Sequence, residues 1–330
     1  MSYKDFPVRL VDVSRFQDNP DTVYKPTFDK LKAEGFQGTG VRVGFGLVED
    51  PLFRWYWQQA KGVLERLPYW YLDYYSHRGT STTDEEWGAI QANECYDLLK
   101  GDFGEGPLAL DCEDSSYGGR VSILTASSYN KVARAFANEW LRLTGKPAMI
   151  YCSPGFLWVF GSWAKPLSMW MAWYSRQRTL TEMQAKLSAV SWTGGLKLWQ
   201  YASDGDVDDD GDADGITLGM ESAALDLNVF IGTAEEWSRF CGNNTPVDPE
   251  EEPEEPVGVI IPVEMTVLPS GGLNVRDVPI GVSGSQVVGW LARGSKVLVS
   301  EMQKIGANVW ARTGTFTWCA IEYNGIKYMA

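Results

Sequence analysis

The sequence first offers chemistry where an apolar run ends in acids, at Leu108-Ala109-Leu110-Asp111-Cys112-Glu113-Asp114. Gly104 to Pro107 precede the run and Ser115 to Gly119 follow it, which predicts a short buried strand running into a loop. Side chains alternate along a strand, so Asp111 and Glu113 share a face and Cys112 takes the other. Two steps of strand separate the two carboxylates by about 6–7 Å at the backbone. Acids that close disfavour each other's ionisation, so one can hold its proton at neutral pH. A protonated acid beside an ionised carboxylate is the equipment for cutting a glycosidic bond. The same string also suits a helix N-cap cluster, so other parts of the chain must decide.

The elements around this pair alternate. Leu10-Val11-Asp12-Val13 reads as a strand with an acid near its end, and Thr27–Gly35 as a helix stopped by glycine. Gly40 to Gly46 is the next strand and loop, and it lacks the third glycine of a dinucleotide fingerprint. Pro51–Leu67 reads as helix, with Pro68 opening an aromatic strand over residues 69–75. Helices are predicted over 83–100 and 126–144, and strands over 148–153, 168–174, 196–201 and 225–230. Strands alternating with helices, several ending in polar or aromatic residues, predict an α/β fold: a TIM-like (β/α) barrel with its site at the carboxyl ends of the strands. Helices thin out after Cys152, so the barrel should be irregular in its second half.

Composition narrows the function. The chain has 330 residues, 15 of them Trp, and a net charge of −14, which argues against nucleic acid or an anionic membrane as the partner. Residues 1–243 carry 23 bases and 33 acids, and seven of those acids lie between Asp204 and Asp214. Cys95, Cys112, Cys152, Cys241 and Cys319 are widely spaced, as reduced buried thiols would be. His77 is the only histidine and should be a loop residue; one imidazole cannot build the usual zinc hydrolase site. The first residues show no basic-then-apolar signal and no run is long enough to span a membrane, so synthesis in the cytoplasm without a signal peptide is expected.

Several short motifs then fall into order: Asp12-x-Ser14-x-x-Gln17, Asp111-x-Glu113, Tyr151, Trp170-x-Ala172-x-Tyr174, Trp199-Gln200-Tyr201 and Asp226-x-Asn228. In order and spacing, residues from about 8 to 240 resemble glycoside hydrolase family 25 muramidases, the Chalaropsis-type lysozymes common among phage endolysins. The resemblance implies a monomeric N-acetylmuramidase needing no cofactor, which cuts the β-1,4 bond between N-acetylmuramic acid and N-acetylglucosamine of bacterial peptidoglycan after its release onto the wall. It implies Glu113 as general acid, Asp111 as a charged partner, and Asp12, Tyr71, Tyr151, Trp173, Tyr174, Gln200 and Asp226 as substrate-binding residues. One departure is the strand at 69–75, where the family often has Tyr-His-Phe and this sequence has no histidine; Tyr71 is taken as the site tyrosine. Retention through an enzyme nucleophile or through the substrate's acetamido oxygen stays open. Rival readings are a chitinase-like hydrolase, disfavoured by Ala109 where a first acid would stand, and a wall-binding barrel that no longer catalyses.

Two further stretches carry expectations. Asp210, Asp212, Asp214, Gly215 and Glu221 fit the spacing of a calcium loop, but Thr217 replaces the usual aliphatic residue and no flanking helix pair is evident, so a solvated acidic loop fits them somewhat better. The domains expected are a catalytic barrel over 1–242, an acidic proline-rich linker over 243–257, and a small all-β barrel over 258–330. Leu273-Asn274-Val275-Arg276 and its spacing to Gly289-Trp290 resemble bacterial SH3-like domains, which implies cell-wall binding. Trp290, Trp310 and Trp318 are its candidate exposed rings.

Overall fold

The computed structural model describes residues 1–19, 21–22, 25–113, 121–122, 125–242, 263–269, 271–276, 287–299, 301–305, 308–314, 317–323 and 326–329. The expected linker, 243–257, lies outside them, as does Asp114. The chain divides into two compact units, Met1–Val247 and Asp248–Ala330.

In the first unit the strands are β1 (Arg9–Val13), β2 (Gly38–Phe45), β3 (Val48–Glu49), β4 (Glu65–Tyr71), β5 (Ala109–Asp111), β6 (Met149–Cys152), β7 (Met169–Ala172), β8 (Leu196–Ala202) and β9 (Asp226–Phe230). They run in the order β1-β9-β8-β7-β6-β5-β4-β2, and β1 pairs back onto β2, closing an eight-stranded ring. The short β3 is hairpinned onto β2 outside the ring. Neighbours from β1 through β8 are parallel, but β9 is antiparallel to both β1 and β8. That reversal departs from a uniform (β/α) barrel. It also places the first residue of β9 at the same end of the ring as the last residues of the other strands.

Helices α1 (Asp29–Ala33), α2 (Phe53–Ala60), α3 (Asp84–Leu99) and α4 (Ala126–Thr144) belong to the first half, and among the described residues α5 (Leu180–Ala189) and α6 (Ala234–Phe240) follow. Thr83 and Glu86 cap α3 reciprocally, satisfying backbone donors at its start. Helix α3 lies so close to α4 that a Cβ on Gly88 would stand 2.2 Å from the Val132 carbonyl oxygen, so only glycine fits there. The expected helix over 51–67 ends early. Residues from Glu65 onward form β4, with Pro68 inside the strand rather than at its start. The apolar face of Leu67 and Tyr69 belongs to the barrel interior, and the buried Arg66 on the other face is held at 2.8 Å by both Asp102 and Glu105.

Strand alternation sorts the core into two parts. Residues facing outward, such as Val11, Val13, Leu110 and Ile150, pack under the helices with Phe53, Phe136 and Trp140. Residues facing inward, Leu10, Leu67, Tyr69, Ala109, Met149, Trp170, Leu198 and Phe230, fill the ring, together with Trp237 of α6. All five cysteines are buried. Among the described residues no helix is long and apolar enough to cross a membrane.

The second unit is all β: β10 (Val263–Thr266), β11 (Leu273–Arg276), β12 (Val287–Leu291), β13 (Lys296–Val299), β14 (Glu301–Ile305), β15 (Asn308–Gly314), β16 (Thr317–Tyr323) and β17 (Ile326–Lys327). They form a two-stranded sheet, β10-β13, and a sheet ordered β12-β11-β16-β15-β14 with β17 on β16. Val267, Leu273, Val299, Ala311 and Ile321 share its core with Trp310, which is buried rather than exposed as expected. Trp290 is 58% exposed, and the side chain of Trp318 lies outside the described residues.

Candidate active site

One further inward step along each strand changes the lining from apolar to polar. After Leu10 comes Asp12, after Tyr69 comes Tyr71, after Ala109 comes Asp111, after Met149 comes Tyr151, and after Leu198 comes Gln200. Register aligns Tyr71, Asp111 and Tyr151 side by side on three adjacent strands. Asp226, at the start of the reversed β9, stands opposite Asp12. The floor is closed by Trp170, whose ring would lie 2.7 Å from a Cβ on Gly40, so the glycine makes room for it.

The cavity above this floor, about 190 Å³, is lined by Asp12, Tyr71, Asp111, Glu113, Tyr151, Tyr174, Gln200 and Asp226, eight of the nine expected catalytic and substrate-binding residues. Trp173 lines instead an adjoining pocket of about 600 Å³ that shares Glu113, Tyr151 and Tyr174 with the first. Strand β4 carries Tyr71 into the cavity, while Tyr74, beyond its end, is buried against Tyr129.

Four carboxyl groups therefore converge, and burial makes their charges costly. Burial pushes the Asp111 carboxyl well above the usual carboxylate range; Glu113 and Asp12 push it further, and the Arg42 guanidinium pulls the other way. Burial raises Asp12 to about 6, against donation to its Oδ2 by the amides of Asn228 (2.8 Å) and Gln200 (2.7 Å). Burial, then Asp12 and Glu113, lift Asp226 to about 8. The site thus retains protons at neutral pH, which is what an acid catalyst needs. For Asp111, expected to stand charged, the direction in the unliganded enzyme is toward the protonated form. Its Oδ1 is buried and has no hydrogen-bond partner among the described residues.

A chain of hydrogen bonds fixes one wall. The Tyr151 hydroxyl donates to Gln200 Oε1 at 2.7 Å, Gln200 passes its amide to Asp12, and the Trp170 indole donates to Asn228 Oδ1 at 2.8 Å. Asn228, Trp170, Ser14, Phe16, Arg42 and Tyr69 were not among the expected site residues. For Arg42 the signal was available: Gly38, Gly40 and Gly44 alternate with it, which leaves one long side chain on the inner face of β2. Its charge is largely committed to the buried Asp50, 2.6 Å away. Gln17 serves the backbone, accepting from the Ser14 amide at 2.8 Å.

The acidic loop arranges its ligands differently from the calcium spacing. The carboxylates whose oxygens converge within 4.8 Å are Asp206, Asp208 and Asp210, so Asp210 alone is shared with the expected set. Asp214 accepts from the Val207 amide at 3.0 Å and Glu221 from the Asn19 amide at 2.9 Å, which holds both elsewhere. Asp212 is exposed. His77 lies in a turn, its Nε2 2.9 Å from Asp84.

The family model described as glycosyl hydrolases family 25 matches residues 11–210. Among solved structures, the chain is similar to a bacterial lysozyme from Streptomyces coelicolor (17% identity, 72% of this chain and 97% of that one, TM-score 0.49). It is also similar to a muramidase from Trichobolus zukalii (19% identity, 72% and 100%, TM-score 0.48) and to the CTP1L endolysin (16% identity, 72% and 70%, TM-score 0.48). A search of curated protein sequences gives no match.

Proposed function

Since the family model spans more than half of its length, the chain belongs to glycosyl hydrolases family 25 and is a glycoside hydrolase, and from that premise we propose a peptidoglycan-cutting N-acetylmuramidase acting as an endolysin. The bond cut is the β-1,4 link between N-acetylmuramic acid and N-acetylglucosamine. The observation that carries this reading is the convergence of Asp111 and Glu113 from one strand end with Asp12 and Asp226 from the facing pair.

Glu113, shared by both cavities, is the general acid that protonates the leaving oxygen. Asp111 serves the other side of the reaction. As positive charge develops on the sugar, its carboxylate form becomes favourable, and from the cavity wall this carboxylate accepts from the N–H of the substrate's acetamido group. Holding that group supports retention through the substrate's own acetamido oxygen, because both acids rise from one wall and neither faces the other across the sugar. Asp12, which ionises first, supplies charge that holds a proton on Asp226, and Tyr71, Tyr151, Tyr174 and Gln200 orient the sugar.

Residues 258–330 form the proposed SH3-like wall-binding module, joined through 243–257 to a monomeric catalytic barrel. The deciding experiment is mass spectrometry of purified walls digested by the full chain and by Glu113→Gln. New N-acetylmuramic acid reducing ends from the wild type, lost in the variant, are expected. No reducing ends from the wild type would leave a wall binder, and N-acetylglucosamine reducing ends would mean a different specificity.

A further inference from the structure

We propose that the second pocket receives the lactyl-peptide arm of N-acetylmuramic acid, and that Lys186 recognises the carboxylates of that arm. This deepens the muramidase reading and rests on it. The catalytic cavity already holds Asp12, Asp111, Glu113 and Asp226, and its cation, Arg42, is paired with Asp50. A free substrate carboxylate placed there would meet the charge of Asp12, with Arg42 already committed to Asp50.

The adjoining pocket offers the opposite. It is contiguous with the cavity through Glu113, Tyr151 and Tyr174, and at about 600 Å³ it is the roomier of the two. Among the described residues its charged lining consists of Glu113 and Lys186. Lys186 projects from the exposed face of α5, and among the described residues it makes no ion pair. The nearby Arg178 is spoken for: it pairs with Glu182 at 2.8 Å and stacks its guanidinium 4.5 Å from the centre of the Trp173 ring. Lys186 Nζ stands 5.7 Å from the same ring. Trp173 thus forms an apolar wall braced by one committed cation, and Lys186 is left to meet an anion at the mouth.

An exposed ammonium reading one carboxylate contributes modestly, so the expected effect is on binding rather than on chemistry. Lys186→Gln should raise KM roughly two- to fivefold on uncross-linked glycan strands that carry free stem peptides, with kcat unchanged and Lys186→Arg restoring the value. On the same strands with every carboxylate capped as a methylamide, wild type and Lys186→Gln should coincide. Amidase-stripped strands keep only the lactyl carboxylate, and a KM difference there assigns that group as the contact, whereas its loss assigns the stem. An equal KM change on capped and uncapped strands, or none on either, overturns the proposal. A wild type inactive on all three overturns the muramidase reading instead, and this inference falls with it.

Discussion

Asp12 and Asp226 stand directly opposite each other on the antiparallel strands that close the barrel, and only Asp12 holds the amides of Gln200 and Asn228. The two carboxyl groups are therefore unequal: Asp12 ionises first, and Asp226, raised by burial and by Asp12, keeps its proton to about pH 8. A carboxyl raised on folding binds a proton that the unfolded chain has already lost. Stability from this group falls as pH rises, across the window from about 4 to about 8. Asp226→Asn should remove that slope, raising stability at pH 8 by at least about 1 kcal/mol while changing little at pH 4. Urea unfolding at the two pH values checks it, and parallel changes at both would remove the proton from Asp226.

Gln200 is buried between a donor and an acceptor, with the Tyr151 hydroxyl on one side and Asp12 on the other, each at 2.7 Å. Gln200→Leu keeps the bulk and removes both bonds. It should cost about 1–3 kcal/mol and push the Asp12 carboxyl higher still, so the acid limb of the rate profile moves to higher pH. A destabilised variant with an unmoved pH profile would confine Gln200 to packing.

Asp111→Asn keeps shape and burial but cannot become negative as the sugar turns positive. We expect kcat to fall roughly 10²–10³-fold with KM little changed. If instead KM rises and kcat holds, Asp111 acts in ground-state binding alone.

Much of this site could be read from spacing. Asp111 and Glu113 share a face because strands have a period of two, and the same rule carries Asp12, Tyr151 and Gln200 to the rim. What was hidden depends on contacts distant in sequence. Asn228 reaches Asp12 across 216 residues, and the reversal of β9 that brings Asp226 to the rim leaves no local mark. Pro51–Leu67 misled because Leu67 and Tyr69 serve the barrel interior, where tertiary packing outweighs local propensity. Trp310, read as exposed, faces the core because alternation in a small all-β unit leaves open which face is inside.

Arg176 organises the acidic loop by pairing with Asp204 at 2.5 Å and with Asp209, to which Lys4 also reaches. Arg176→Ala should lower stability by about 1 kcal/mol and open residues 204–214 to proteolysis. Calcium and chelator should then give the wild type the same melting temperature. A rise with calcium that Asp206→Asn abolishes would return the loop to ion binding through Asp206, Asp208 and Asp210.

Trp290 is the ring on which wall binding by the second unit should turn. It is 58% exposed, and its indole N–H donates to the Gly271 carbonyl at 3.0 Å. A Cβ at Gly272 would lie 2.2 Å from the ring, so the indole rests on bare backbone and its other face meets solvent. A flat ring fixed in this way loses little freedom when it stacks on a sugar or a peptide. Tethering then raises the concentration of glycan at the catalytic cleft without changing the cleft itself. In the full chain, Trp290→Ala should weaken retention on purified walls about two- to tenfold. It should slow lysis of whole walls at low enzyme concentration and leave cleavage of short soluble strands intact. Truncation after Gly242 should do the same more completely. If the Trp290 variant sediments with walls as the wild type does while the truncation does not, the second unit binds through another surface; if neither changes, the barrel finds its polymer alone.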